Sequence, residues 1–123
     1  MESLTEIFGE PIYAYTRAQA LEDGVLVDVT EWASADKGFI GGFTCPVAMT
    51  RALWAKVEAP RGSIQDTRGR AHDVLWLTSL AVRLSFRKRL DSGNFMVRLG
   101  RRNENLRFVV DGDGVTIGFP ADF

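Results

Sequence analysis

Two groups of polar residues are expected to lie on otherwise apolar elements. Tyr15 and Arg17 lie where a segment of alternating apolar and aromatic residues, 11–16, is expected to pass into a helix. Arg70 and Asp73 lie three positions apart, where a long apolar stretch begins. Because a buried charge is costly unless it is paired, each of these charged groups is expected to have a partner. Two arrangements would provide one.

In the first arrangement an internal ion pair, Asp73 with Arg17 or Arg51, fixes a helix against the sheet. In the second, the polar residues line a pocket for a small anion or a nucleotide. The ion pair is the simpler interpretation, and the pocket would be the functional one. The residues proposed to bind a ligand or a partner are Tyr15, Arg17, Arg70, Asp73 and Trp76.

The sequence offers little for catalysis or metal binding. His72 is the only histidine and directly precedes Asp73, and neighbours on a helix point in different directions. No glycine-flanked serine motif and no phosphate-binding glycine motif is present. One histidine and one cysteine, Cys45, are too few for a typical zinc site. We therefore expect no catalytic residue, no metal and no cofactor, and a binding protein rather than an enzyme.

The distribution of charge suggests a second kind of partner. The net charge is only −1, yet residues 1–58 hold nine acids and four bases, whereas residues 59–110 hold eleven bases and four acids. Such asymmetry is typical of proteins that bind nucleic acid or an acidic protein, and it also arises when two halves of one domain attract each other. The candidate nucleic-acid-binding residues are Arg87, Lys88, Arg89, Arg98, Arg101, Arg102 and Arg107.

A long helix is predicted to carry many of these residues. Residues 66–89 place apolar side chains three and four positions apart, and further apolar side chains occupy much of the opposite side. The two sets are Val74, Leu77, Ala81 and Leu84, and Leu75, Trp76, Leu80 and Val82. A helix that is apolar nearly all round is expected to be buried between layers.

The other elements follow from local patterns. Residues 1–8 suggest a short helix, residues 11–16 a strand, residues 17–23 a helix that ends at Gly24, and residues 25–30 a strand. A helix is predicted to start at Pro46 and end before Pro60. Alternation over 95–99, 106–110 and 115–119 predicts a β-meander. We expect a single α+β domain over 1–123, with a mixed or mainly antiparallel sheet packed on two main helices.

The composition is that of a cytoplasmic protein. Apolar residues make up 46% of the 123 residues and charged residues 25%. No apolar run reaches the roughly 20 residues that cross a bilayer, and the acidic N-terminus lacks the pattern of an export signal. A single cysteine excludes an internal disulfide. The sequence therefore predicts a cytoplasmic location and no membrane partner.

The opening of the chain resembles a known family. The motif YTRAQA-x-x-DGVLVDV over 15–29, followed by PVAMTRALW (46–54) and GRAHDVLWLTSLAVR (69–83), is similar to a family of uncharacterised bacterial proteins found in phages, plasmids and integrated elements. This chain departs from the family pattern at Ala71 and His72, where a Leu-Trp pair is more usual. The resemblance implies the fold and the genetic setting but no particular activity.

Three functions are therefore expected. The resemblance implies a non-enzymatic accessory protein of a mobile element that acts by binding a protein partner, with action against host defence as one such role. The basic region 87–107 suggests nucleic-acid binding instead. The polar set around Arg17 and Arg70 suggests a small-ligand pocket.

Overall fold

The computed structural model describes residues 16–34, 42–58 and 66–123. These residues form an open five-stranded sheet in the order β1-β2-β5-β4-β3, in which β2 and β5 are parallel and the other neighbours antiparallel. The predicted α+β class is confirmed. The elements are α1 Arg17–Glu22, β1 Leu26–Asp28, α2 Thr30–Ala33, β2 Val47–Thr50, α3 Arg51–Val57, α4 Thr67–Arg87, β3 Ser92–Leu99, β4 Arg102–Asp111, β5 Gly114–Gly118 and a final 3-10 turn Pro120–Asp122.

The first described unit follows local sequence rules. The Thr16 side chain accepts from the backbone of Gln19, whose own side chain accepts from the backbone of Thr16, so α1 begins with a capping box. Gly24 follows the helix with a φ of 76°, in the left-handed region that glycine favours. The predicted helix and the strand after it are confirmed. The helix predicted over 1–8 and the strand predicted over 11–16 lie outside the described residues.

The helix predicted to start at Pro46 is wrong in its first turn. Val47–Thr50 is instead β2, which lies between β1 and β5 and is buried along its whole length. Helix α3 starts only at Arg51, and the Thr50 side chain caps it by accepting from the backbone nitrogen of Leu53. A fully buried strand carries a continuous apolar run, so periodicity alone does not distinguish it from a helix. Cys45 consequently precedes a strand rather than a helix.

The long helix forms as predicted, but it is not buried all round. Asp66 caps it by accepting from the backbone nitrogen of Gly69 at 2.6 Å. Helix α4 lies on one face of the sheet, against β3, and its buried residues are Ala71, Val74, Leu75, Thr78 and Ser79. On the second half of the helix Leu84 is 57% exposed and Leu80 is 36% exposed. The prediction that α4 lies between two layers is therefore wrong for that half.

The predicted β-meander is confirmed; its first two strands are longer than predicted, and the third is shifted by one residue. Gly100, with a φ of 65°, opens the two-residue turn between β3 and β4. Alternate residues of the sheet point to the core, and we name this side the core face; its buried members include Val47, Met49, Val97, Leu99, Leu106, Phe108, Val115 and Ile117. The opposite side is the outer face. None of the helices in the described residues is long and apolar enough to span a bilayer.

Candidate functional site

Arg17 reaches the outer face of the sheet. It lies on α1, and its Nη1 donates to Thr116 Oγ1 at 2.6 Å while its Nη2 donates to the carbonyl oxygen of Val115 at 2.9 Å. Both acceptors belong to β5, two strands away from β1. Arg17 thus fastens α1 across the sheet. Tyr15, which was predicted to accompany it, lies outside the described residues.

Asp28 lies in the same row of the sheet, since it pairs with Ala48 and Ala48 pairs with Thr116. Its Oδ1 accepts from Thr30 Oγ1 at 2.6 Å and from the Thr30 backbone nitrogen at 2.9 Å. These two hydrogen bonds hold the pKa of the Asp28 carboxyl below its ordinary value; partial burial opposes the shift and the Arg17 charge adds to it. The carboxylate therefore caps the turn that enters α2.

Arg70 lies on the core-face side, away from Arg17. Its Nη1 donates to the carbonyl oxygen of Lys56 at the end of α3, at 2.9 Å, and its buried Nε has no hydrogen-bond partner among the described residues. A Cβ added to Gly100 would lie 3.1 Å from Arg70 Nη2, so the turn between β3 and β4 closes over this guanidinium. Arg70 therefore connects α4 with α3 and with that turn.

The remaining members of the predicted polar set lie along α4. Asp73 Oδ1 is 3.6 Å from Nδ1 of His72, and each of the two side chains is 46% exposed. Trp76 is half-buried. Since Arg17 lies over the outer face and Arg70 beside the core face, the described members of the set do not converge on one pocket. Their role in binding stays a prediction.

A cleft of about 400 Å³ opens on the outer face beside β1. Leu26, Val109, Thr116 and Phe123 are among the residues that line it. Thr50 Oγ1 donates to Asp122 Oδ2 at 2.7 Å, and the same carboxylate oxygen accepts from the backbone of Phe119. These contacts link the 3-10 turn Pro120–Asp122 to the start of α3. The side chains of Thr50 and Asp122 in the cleft are therefore hydrogen-bonded to each other.

A second depression, of about 380 Å³, lies at the other edge of the sheet. We name it the α4–β3 groove. Its apolar wall belongs to one side of the second half of α4, and β3 and the segment before it provide the rest. The apolar lining residues are Leu77, Leu80, Ala81, Leu84, Leu90 and Phe95. Leu84 and Leu90, which both line this groove, are each more than half exposed.

The floor of the groove ends at the edge of β3 that faces away from β4. Among the described residues, β3 is the last strand of the sheet and pairs only with β4. Leu99 and Arg102 flank the two-residue turn, so they form a hydrogen-bonded pair, and the bonding alternates from there along the strand. The backbone groups of Asn94, Met96 and Arg98 therefore point away from β4, and no described strand pairs with them.

The basic residues divide between the two ends of β3. Arg87, Lys88 and Arg89 lie where α4 ends, and Arg101 and Arg102 lie at the β3–β4 turn. The eight residues of β3 separate these two clusters by roughly 24 Å. Between them on the outer face, Arg107 donates to Asn94 Oδ1 and to Ser92 Oγ, both at 3.2 Å.

No metal centre is found in the part of the chain that is described. Within residues 16–34, 42–58 and 66–123, no three His, Cys, Asp or Glu side chains lie close enough together to hold an ion. Of the surfaces described above, the α4–β3 groove combines exposed apolar area with unpaired backbone groups. It is the candidate functional site.

Sequence reasoning missed this groove, although a signal was present. Helical spacing places Leu77, Ala81 and Leu84 on one side of α4, and this spacing alone predicts a contact with the core. The basic residues Arg83, Arg87, Lys88 and Arg89 interrupt the apolar pattern from residue 83 onward. An apolar row that continues into a basic segment is typical of an exposed amphipathic surface.

Comparison with known proteins places the chain in a family but gives no activity. No curated protein and no solved structure matches it. The model described as "Family of unknown function (DUF6573)" matches residues 5–97. This range contains every residue that lines the α4–β3 groove, and it stops before β4 and β5. Because the match covers more than half of the sequence, the chain belongs to this family of unknown function.

Proposed function

We propose that this protein is a non-enzymatic binding module that holds a protein partner in the α4–β3 groove. The observation that carries the proposal is the exposure of Leu84 and Leu90 beside the edge of β3, which has no partner strand within residues 16–34, 42–58 and 66–123. Exposed contiguous apolar surface at a polar rim is a usual property of protein-binding sites. The unpaired edge adds backbone donors and acceptors that a partner can use.

The setting we propose follows from the resemblance of the opening motif over 15–29. The protein would be an accessory factor of a phage, plasmid or integrated element, and it would act in the bacterial cytoplasm. Action on a host protein, including one used in defence, is the role that suits such a setting.

The test compares two single substitutions in a pull-down from a bacterial host lysate. Leu84→Gln makes the groove polar and retains a good helix former. Val25→Thr is the control, because Val25 is 53% exposed, lines the outer-face cleft instead, and Thr keeps its branched shape. A stoichiometric partner should be captured by the native protein and by Val25→Thr, and lost with Leu84→Gln.

The opposite pattern would overturn the proposal. If the captured protein is retained by Leu84→Gln and lost with Val25→Thr, the outer-face cleft is the binding site. If neither substitution changes what is captured, neither of the two surfaces is used. Urea unfolding of each variant shows whether it is still folded.

Nucleic-acid binding is the second candidate, because the exposed basic residues form clusters at both ends of β3. Two clusters roughly 24 Å apart could each contact a phosphate backbone. Binding to duplex DNA or RNA should then be measurable near 50 mM salt and should weaken steeply with added salt. Replacing Arg101 and Arg102 by Gln should reduce the salt dependence, whereas Leu84→Gln should leave binding unchanged. The absence of binding at low salt would exclude this function.

A further inference from the structure

We infer that the partner of the groove is an acidic, extended peptide segment that adds to the sheet as a sixth strand beside β3. This inference rests on the proposed function and specifies the chemistry of the occupant. Three features of the described residues support it: the register of β3, the position of α4 above its free edge, and the charge around the groove.

The register determines which backbone groups are available. Asn94, Met96 and Arg98 direct their backbone groups away from β4, as the pairing with β4 requires. Their side chains lie on the outer face, because Val97 and Leu99 point into the core. An added strand would thus hydrogen-bond at alternate residues, and the side chains of Asn94 and Met96 would not block it.

The position of α4 determines what the added strand must carry. Phe95 points to the core face, and Leu77, Leu80 and Leu84 form the wall of the groove beside it. A strand next to β3 would bring every second side chain against this wall. The occupant therefore needs large apolar residues at alternate positions, with polar residues between them.

The charge around the groove indicates the polar residues of the occupant. Residues 73–104 contain seven bases, of which Lys88 lines the groove, and three acids, Asp73, Asp91 and Glu104, so the segment is net basic. The remaining bases are Arg83, Arg87, Arg89, Arg98, Arg101 and Arg102. Opposite charges across an interface favour the correct partner and speed its association. An acidic segment would therefore be attracted to the excess of basic side chains in this part of the chain.

A second copy of the chain fits the groove less well. Antiparallel pairing of two β3 strands around a two-fold axis would bring Arg98 of one copy to the Lys88 end of the other. That arrangement places like charges next to each other at both ends of the new strand pair, which is unfavourable. Repulsion between these like charges therefore favours an acidic peptide over a second copy of the chain as the occupant of the groove.

The test uses synthetic peptides whose valines and isoleucines alternate with glutamates, and a control in which lysines replace the glutamates. The acidic peptide should bind at least about tenfold more tightly than the basic one at low salt, and the difference should shrink at high salt. On binding, the amide hydrogens of Met96 and Arg98 should exchange more slowly. The amides of Phe95 and Val97, which already face β4, should change little.

Two substitutions at Met96 isolate the strand edge. Met96→Pro removes the outward N–H without disturbing the pairing with β4, and proline is tolerated on edge strands in that orientation. Met96→Val removes the same side chain and keeps the backbone N–H donor of residue 96. Met96→Pro should weaken binding of the acidic peptide at least about tenfold, as should Leu84→Gln, whereas Met96→Val and Val25→Thr should bind like the native protein.

Different failures have different meanings. If the acidic peptide does not bind at about 1 mM, or binds Met96→Pro as well as Met96→Val, strand addition is wrong. The proposed function survives that result if a lysate partner is still lost with Leu84→Gln. If sedimentation shows a dimer that Met96→Pro dissociates, a second copy is the occupant and the acidic segment is excluded.

Discussion

The two edges of the sheet are built in opposite ways. At one edge, which we call the closed edge, β1 has only three residues. Helix α1 packs against β1, and Arg17 links that helix to β5. At the other edge, which we call the open edge, β3 has eight residues. Among the described elements, no strand pairs with its outer side. Short, covered edges are how proteins prevent unwanted strand pairing. A long and open edge next to an apolar groove is what a protein keeps for a partner.

The same contrast is present along α4. Its first half places Ala71, Val74 and Leu75 in the core, with exposures of 1% or less. Its second half carries equally apolar side chains, yet Leu84 is mostly exposed. The difference indicates that the first half of α4 stabilises the fold and the second half provides a surface.

The largest expected effect tests this contrast directly. Leu75→Ala leaves a cavity in the core and should lower the free energy of unfolding by about 2–5 kcal/mol. Leu84→Ala removes the same atoms from an exposed position, so it should cost less than about 1 kcal/mol. Urea unfolding of both variants measures the difference. Similar losses would show that the second half of α4 is as important to the core as the first.

Much of the fold could be predicted because its signals are local. The capping box at Thr16, the left-handed Gly24, the Asp66 cap and the alternation in the meander each depend on neighbours within a few residues. The strand β2 could not be predicted in this way. It is set by parallel pairing with β5, more than 60 residues further along the chain, and its apolar residues fit a helix equally well.

The candidate site was harder to predict than the fold. Whether two arginines meet depends on which side of the sheet each element packs against, and spacing within one helix carries no such information. Arg17 crosses the outer face to Thr116, whereas Arg70 reaches Lys56 on the core-face side. Likewise, the apolar row of α4 outlines a surface only once the strand order places β3 at the edge.

An intermediate effect is expected on β2, the strand next to the closed edge. Thr50→Val keeps the shape of a buried side chain but removes the hydroxyl that caps α3 and donates to Asp122. The loss should be about 1–2 kcal/mol, from the missing cap and the missing hydrogen bond. Thermal unfolding measures it, and Met96→Val at the open edge is the matched control, expected within about 0.5 kcal/mol of the native protein. An equal loss in the control would remove the distinction between the two edges.

The smallest effect concerns the pH dependence of the closed edge. Hydrogen bonds from Thr30 lower the pKa of Asp28 in the folded state, so the unfolded chain binds the proton more readily. The resulting stabilisation is present above the unfolded pKa of about 3.9 and is lost as the pH falls through the lower folded value.

Because Asp28 is largely exposed, its contribution should stay below about 1 kcal/mol. Asp28→Asn should therefore be less stable than the native protein at pH 6 and almost equal to it near pH 2, in urea unfolding at both pH values. Asp113→Asn, in the exposed β4–β5 turn, controls for the loss of one surface charge and should follow the native pH profile. If both variants lose the same stability at pH 6, general charge rather than the Thr30 contacts governs the acid response. The closed edge would then owe its stability to the Arg17 and Thr50 contacts without help from Asp28.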